Sequence, residues 1–159
     1  MTLTELKTLI QNYVENDETT FVSTLNDMIQ ISEQRLFELI QFDFFRKNVT
    51  GNLTAGNTYL TAPSDFQMSF SLAIIDGDND YHYLDKKHPS FMREYSNDAV
   101  ATSERGKPLY YADFDKELST ATNNGSTLIV SPVPDINYNV ELHYLYVPTS
   151  LTSATTGTW

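Results

Sequence analysis

Three aspartates on alternate positions, Asp76, Asp78 and Asp80 in the stretch "IIDGDNDY" over residues 74–81, carry the most ligand-like chemistry in the chain. An EF-hand calcium loop needs oxygen ligands at positions 1, 3 and 5, a glycine at 6 for the sharp bend and a bidentate glutamate at 12. Counted from Asp76, position 6 is Tyr81 and position 12 is Lys87, so the bend residue is absent and a ligand has become a cation. The flanks read as strands, where an EF-hand requires helices. Asp-Gly and Asn-Asp favour turns because Gly, Asn and Asp tolerate positive φ. The stretch is therefore expected to be a solvent-facing reversal between two strands.

Other residues offer less. His82, Asp85 and His88 are close in sequence, but alternation sets His82 on a strand and His88 in the next loop, with no common face for a metal or a general base. His143 stands two residues from Glu141 on the more polar face of the last strand and is expected to be solvated or at a subunit contact. There is no Gly-x-Ser-x-Gly elbow and no Ser-x-x-Lys, and six scattered glycines form no phosphate loop. A hydrolase working through two acids would need a placed carboxylate pair, and the sequence identifies none. The expectation is a non-enzyme with no catalytic, cofactor-binding or metal-binding residues and no cofactor.

The elements that must position these residues divide into two periodicities. Leu3, Leu6, Leu9, Ile10, Tyr13 and Val14 recur at helical spacing, as do Phe21, Leu25, Met28, Ile29, Leu36, Leu39 and Ile40. They predict amphipathic helices over about residues 2–15 and 18–41. Between them "ENDETT" offers N-cap oxygens at Asn16, Asp17 and Thr19. After "FDFFRK" the pattern changes to strand grammar, with strands expected near 47–53, 58–61, 67–75, 81–84, 108–114, 127–131 and 137–147. The first two are expected to form a hairpin through "TAGN", with Gly56 free to take positive φ. In the last, Tyr138, Val140, Leu142, Tyr144 and Tyr146 alternate with Asn139, Glu141, His143, Leu145 and Val147. Lys87–Tyr95 predicts a short helix with Pro89 at its first position. Residues 96–107 and 115–126 read as polar surface loops. Helices followed by strands predict an α+β fold, an N-terminal helical hairpin and then an antiparallel β-rich sandwich or barrel.

Composition limits the partners. The chain has 159 residues, enough for one domain with a real core, and no cysteine, which removes disulfide and thiolate chemistry. The N-terminal "MTLTELKTLIQNY" has no basic n-region and no apolar run approaches a bilayer span, so a soluble protein without a secretion signal is expected. Sequons at Asn48, Asn52 and Asn124 then count as coincidence. With 10 basic against 21 acidic side chains, the net charge of -11 opposes attraction to phosphate backbones and anionic membranes. Acidity is compatible with a wall that encloses DNA without holding it.

Three longer stretches carry a resemblance: "TFVSTLNDMIQISEQRLFELIQ" over 20–41, "FRKNVTGNLTAGNTYLTAPSDF" over 45–66 and "SPVPDINYNVELHYLYVPTSL" over 131–151. In this order and spacing the chain resembles the head-to-tail adaptor (connector) family of tailed bacteriophages, most of all adaptors of short-tailed, cyanophage-like viruses. The resemblance covers nearly the whole chain. It implies a structural virion protein in the neck, assembled in the host cytoplasm, that forms a dodecameric ring between portal and tail. It further implies contacts with the portal and with a tail or nozzle protein, and a share in the DNA ejection channel without specific DNA binding. Implied boundaries are a helical segment at 1–45, an antiparallel β domain at 46–148 and a C-terminal extension at 149–159. Members usually continue from a tryptophan like Trp159 into further helices, whereas this sequence stops at "SATTGTW". That implies either a partial chain or a shorter variant whose helices find partners on neighbouring subunits, and no portal-docking residue is carried over. The alternative expectation is a β-sandwich recognition module of a phage tail that binds host-surface glycan through exposed tyrosines and long loops.

Overall fold

The computed structural model describes residues 1–40, 43–96, 102–115 and 126–153. Residues 97–101 of the first expected polar loop, 116–125 of the second, and Trp159 lie outside the described residues. The chain separates into two compact units, Met1–Phe45 with Val147–Trp159, and Arg46–Tyr146. The architecture is α+β, with helices first and antiparallel sheets after them.

In the first unit, α1 (Leu3–Val14) starts at a capping box. Thr2 Oγ1 accepts the N–H of Glu5 at 3.2 Å, and Glu5 Oε2 accepts that of Thr2 at 2.7 Å. The helix stops where Glu15 turns left-handed, at φ 54°. The second helix, α2 (Thr19–Leu39), has Glu18 as its N-cap and no side-chain cap bond. This corrects the expected capping by Asn16, Asp17 or Thr19. Asn16 Oδ1 instead accepts the N–H of Glu18 at 2.9 Å, tightening the connection one residue before the helix begins. A 3-10 turn follows at Asp43–Phe45, and Phe45 meets Phe37 edge-on with ring centroids 5.3 Å apart. Leu25, Ile29, Phe37 and Phe45 are buried.

The second unit is a two-layer β structure. Strands β1 (Arg46–Leu53), β3 (Phe66–Ile75), β4 (Tyr81–Tyr83) and β8 (Tyr138–Tyr146) form one sheet in the order β1-β8-β3-β4. The other, β2-β7-β6-β5, is built from β2 (Tyr59–Thr61), β5 (Asp85–Lys86), β6 (Tyr110–Asp115) and β7 (Thr127–Ser131). Every pairing is antiparallel except β5 with β6. Tyr138, Val140, Leu142 and Tyr144 of β8 point into a core shared with Leu53, Leu72, Ile74, Tyr111, Leu128 and Val130, the face predicted by alternation. Helix α3 (Pro89–Tyr95) has Pro89 in its first turn, and His88 Nδ1 accepts the N–H of Ser90. Its Met92 packs on Ala112 and Ile129.

The expected hairpin of β1 and β2 does not form. β1 pairs with β8 over eight positions and β2 with β7, so "TAGN" carries the chain from one sheet to the other. It is still a tight turn: Asn57 N–H donates to Thr54 O at 3.0 Å, and Gly56 takes φ +75°. Leu53 and Leu60 on either side enter the same core, which is why the crossing is favourable. A Cβ on Gly56 would meet the Arg105 guanidinium at 3.0 Å. Gly56→Ala is therefore expected to cost about 1–2 kcal/mol in urea unfolding, from left-handed strain with crowding added; a loss below about 0.3 kcal/mol would show the turn to be relaxed.

Candidate functional site

The acidic stretch that opened the sequence is a hairpin tip. Asp76 and Asp80 close it through the Asp76 N–H to Asp80 O bond at 3.1 Å, and Asn79, rather than Gly77, takes the positive φ of 64°. Asp76 Oδ1 accepts the N–H groups of Asp78 and Asp80, each at 3.0 Å, and His82 Nε2 lies 2.6 Å from Asp76 Oδ2. Asp76 is thus a turn-building side chain, and its oxygens are already engaged by donors. The His82 bond first, then the Asp80 N–H, holds its carboxyl below the ordinary aspartate value. A carboxylate with a depressed pKa stabilises the fold above the unfolded value near pH 4, and that contribution is lost as the pH falls through the lowered pKa. Millimolar calcium is expected to move the melting midpoint by less than about 1 °C. Asp76→Ala should lower that midpoint while Asp78→Ala leaves it in place; a calcium-dependent rise would restore the ligand reading.

The histidines do not converge. His82 belongs to Asp76, His88 caps α3, and His143 Nε2 sits 2.6 Å from Glu141 Oε1. Glu141 is the hub of a polar network on the outer face of the β1-β8-β3-β4 sheet. It also accepts Tyr81 OH at 3.2 Å and faces Asn48 Nδ2 at 3.5 Å. The His143 bond lowers its pKa, while the hydrogen bond from Tyr81, and after it the negative charge of Glu141, raises that of Tyr81. Among the described residues, no group of three or more His, Cys, Asp or Glu side chains could hold a metal ion.

One arrangement was invisible in the sequence. Ser69 of β3, Lys86 of β5 and Asp113 of β6 meet across the two sheets. Ser69 Oγ donates to Asp113 Oδ1 at 2.6 Å, and Lys86 Nζ reaches Ser69 Oγ at 2.8 Å and Asp113 Oδ2 at 2.6 Å. A serine beside a lysine could suggest a nucleophile and its base. Here the lysine is ion-paired with Asp113 and donates to the serine, and Ser69 is only 4% exposed. The trio is a polar clamp between sheets.

Two aspartates do similar work on buried tyrosines. Asp135 accepts Tyr138 OH at 2.7 Å and Asp65 accepts Tyr144 OH at 2.9 Å; burial first and the neighbouring carboxylate second push both phenols up to about 12. Asp65 also pairs with Lys47 at 2.8 Å. The words "PSDF" and "SPVPD" therefore mark anchor points. Pro63 O receives Phe66 N–H at 3.0 Å, while Val133 O and Pro134 O receive the N–H groups of Gly106 and Gly56 at 2.9 and 2.8 Å.

The helical unit presents a different kind of surface. A groove of about 640 Å³ is lined by Leu6, Ile10 and Val14 of α1 and by Phe21, Met28 and Leu36 of α2, with Leu151 from the far end of the chain. No residue of α1 is buried, and Tyr13 is 89% exposed. At the edge of the groove Glu33, itself buried, accepts Ser150 Oγ at 2.6 Å and Leu151 N–H at 3.0 Å. That carboxylate fastens the segment after β8 to α2. No described helix is long and apolar enough to cross a membrane.

Compared with known proteins, residues 1–159 match the family model described as SU10 adaptor protein. No curated protein matches the chain.

Proposed function

Because the chain belongs to the SU10 adaptor protein family, one of phage head-to-tail adaptors and not of enzymes, we propose that it is a structural protein of the virion neck that forms a ring between portal and tail. The observation that carries this reading is the match over the whole chain. In this reading the ring is dodecameric, it contacts the portal on one side and a tail or nozzle protein on the other, and its lumen is part of the channel through which DNA leaves. The virus is short-tailed and cyanophage-like, and the protein assembles in the host cytoplasm. Residues 1–45 serve as the helical segment, 46–148 as the β domain and 149–159 as a C-terminal extension, with no catalytic, cofactor or metal residue among them.

Two physical features support it. A closed ring needs heterologous faces, and a helical unit whose apolar groove is open among the described residues supplies a surface that gains by assembly. A net charge of -11 disfavours gripping a polyanion in the channel. Negative-stain electron microscopy of the protein mixed with its portal is expected to show rings seated on the portal, and a DNA shift assay near physiological salt is expected to show little affinity. A protein that stays monomeric and ignores the portal would refute the reading.

A further inference from the structure

We infer that the outer face of the β1-β8-β3-β4 sheet carries a binding site for a neutral pyranose sugar, in a trough beside the tip of the β3–β4 hairpin. The inference goes beyond the adaptor reading and does not depend on it.

Strand register assembles the site. Asn52 of β1 stands opposite Asn139 of β8, Asn139 opposite Ile75 of β3, and Ile75 opposite Tyr81 of β4. Val140, Leu142 and Ile74 point into the core, so alternation sends this row of side chains to the other face. Thr50 follows two positions back along β1, and Asn79 joins from the hairpin tip, where its positive φ of 64° sets it. These side chains line a trough of about 410 Å³, within the ordinary range for a small-ligand site.

The trough has two kinds of wall. Asn57 and Asn137 use their side-chain oxygens on the N–H groups of Tyr59 and Ala55. The carboxamides of Asn52, Asn79 and Asn139, by contrast, make no protein hydrogen bond among the described residues. Each offers an acceptor and two donor hydrogens, the set that neighbouring hydroxyl groups on a sugar require. The opposite wall is apolar. Tyr81 OH donates to Glu141 Oε2 on β8 at 3.2 Å, so the phenol leans across the intervening β3 toward that strand, while 51% of the residue stays exposed. Ala73, in register with Glu141 on this outer face, is only 1% exposed. The ring is thereby held as a platform beside Ile75.

A pyranose matches both walls. Its axial C–H groups rest on an aromatic face, and its equatorial hydroxyls project from the ring edge toward amides. Charge excludes the anionic alternatives. The lining residues are all uncharged. The trough adjoins Glu141 through Tyr81 and Asp76 through the Asn79 N–H; these carboxylates pair with His143 and His82, and Lys107 lies 3.9 Å from Asp76. A phosphate or carboxylate ligand would meet negative charge there without a cation in the lining to hold it.

The test is a titration of the isotopically labelled full chain, followed by proton–nitrogen correlation spectra, with three probes. Methyl β-D-glucopyranoside has the C–H face and the equatorial hydroxyls, mannitol has hydroxyls without a ring, and glucuronic acid adds a carboxylate to the ring. Only the glucoside is expected to give saturable shifts in the side-chain amides of Asn52, Asn79 and Asn139. Tyr81→Ala, and Asn52→Ala combined with Asn139→Ala, are each expected to weaken binding by at least about tenfold, with circular dichroism confirming the fold. Tyr59→Ala, on the other sheet, should leave the affinity in place. No saturable shift with the glucoside, an equal response to mannitol, or undiminished binding by the Tyr81 and asparagine variants would overturn the inference. So would an Asn139→Arg variant that loses rings on the portal while the parent ignores the glucoside, since the face would then be a protein contact. Rings without glucoside binding would sink this inference alone; glucoside binding without rings would sink the adaptor reading and leave the sugar site standing.

Discussion

Replacing Leu72 by alanine is expected to lower the unfolding free energy of the β unit by about 3–5 kcal/mol, the upper part of the range for truncating a fully buried leucine. Leu72 is 0% exposed, lies opposite Leu142 in the β3–β8 register, and belongs to the core that both sheets share. The site has little means of closing over the void. Strand β3 is held on one side by β8 and on the other by β4, and Leu72 O accepts the Leu84 N–H at 2.9 Å. A loss of this size is a large share of the roughly 5–15 kcal/mol typical of a domain, so the variant should unfold at markedly lower urea with an unchanged slope. Tyr83→Ala on the exposed edge strand β4 is the comparison and should stay within about 1 kcal/mol of the parent. Similar midpoints for the two variants would contradict the placement of Leu72 in the core.

That core was legible in advance because its signal is local. The alternation from Tyr138 to Tyr146, the helical spacing from Leu3 to Val14 and the Pro89 start of α3 each report on neighbours within one element, where the backbone period alone fixes the face. What stayed hidden depends on partners far apart. Ser69 meets Asp113 across 44 positions and Glu33 meets Ser150 across 117, and neither pair has a spacing that periodicity could detect. The "TAGN" turn shows the intermediate case. Its Gly56 conformation was readable, whereas the sheet joined by each flanking strand is set by β7 and β8, whose paired positions lie about 66–70 and 85–99 residues further along the chain. The helical groove was half legible. Its apolar stripes appear in the sequence, but only the fold reveals that α1 buries none of its own.

This difference between the two units leads to the second large effect. Prepared as separate pieces, residues 46–146 are expected to fold cooperatively and residues 1–45 to be largely unstructured. Every member of the principal core lies between Leu53 and Tyr146, and both sheets close within that span. The helical piece is in the opposite position. Its buried residues among those described are few, Leu25, Ile29, Glu33, Phe37 and Phe45, and the Glu33 carboxylate loses its partners Ser150 and Leu151 when the chain is divided. Losing two hydrogen bonds to a carboxylate costs about 1–3 kcal/mol, a large loss for a short two-helix hairpin that is marginal without tertiary packing. Far-ultraviolet circular dichroism should show a sharp urea transition for 46–146 and weak helicity for 1–45. In the full chain, Glu33→Ala should lower amide protection around Leu25–Phe37 while leaving β3 and β8 unaffected. A fully helical, monomeric 1–45 piece would mean that the hairpin sustains itself without the segment after β8.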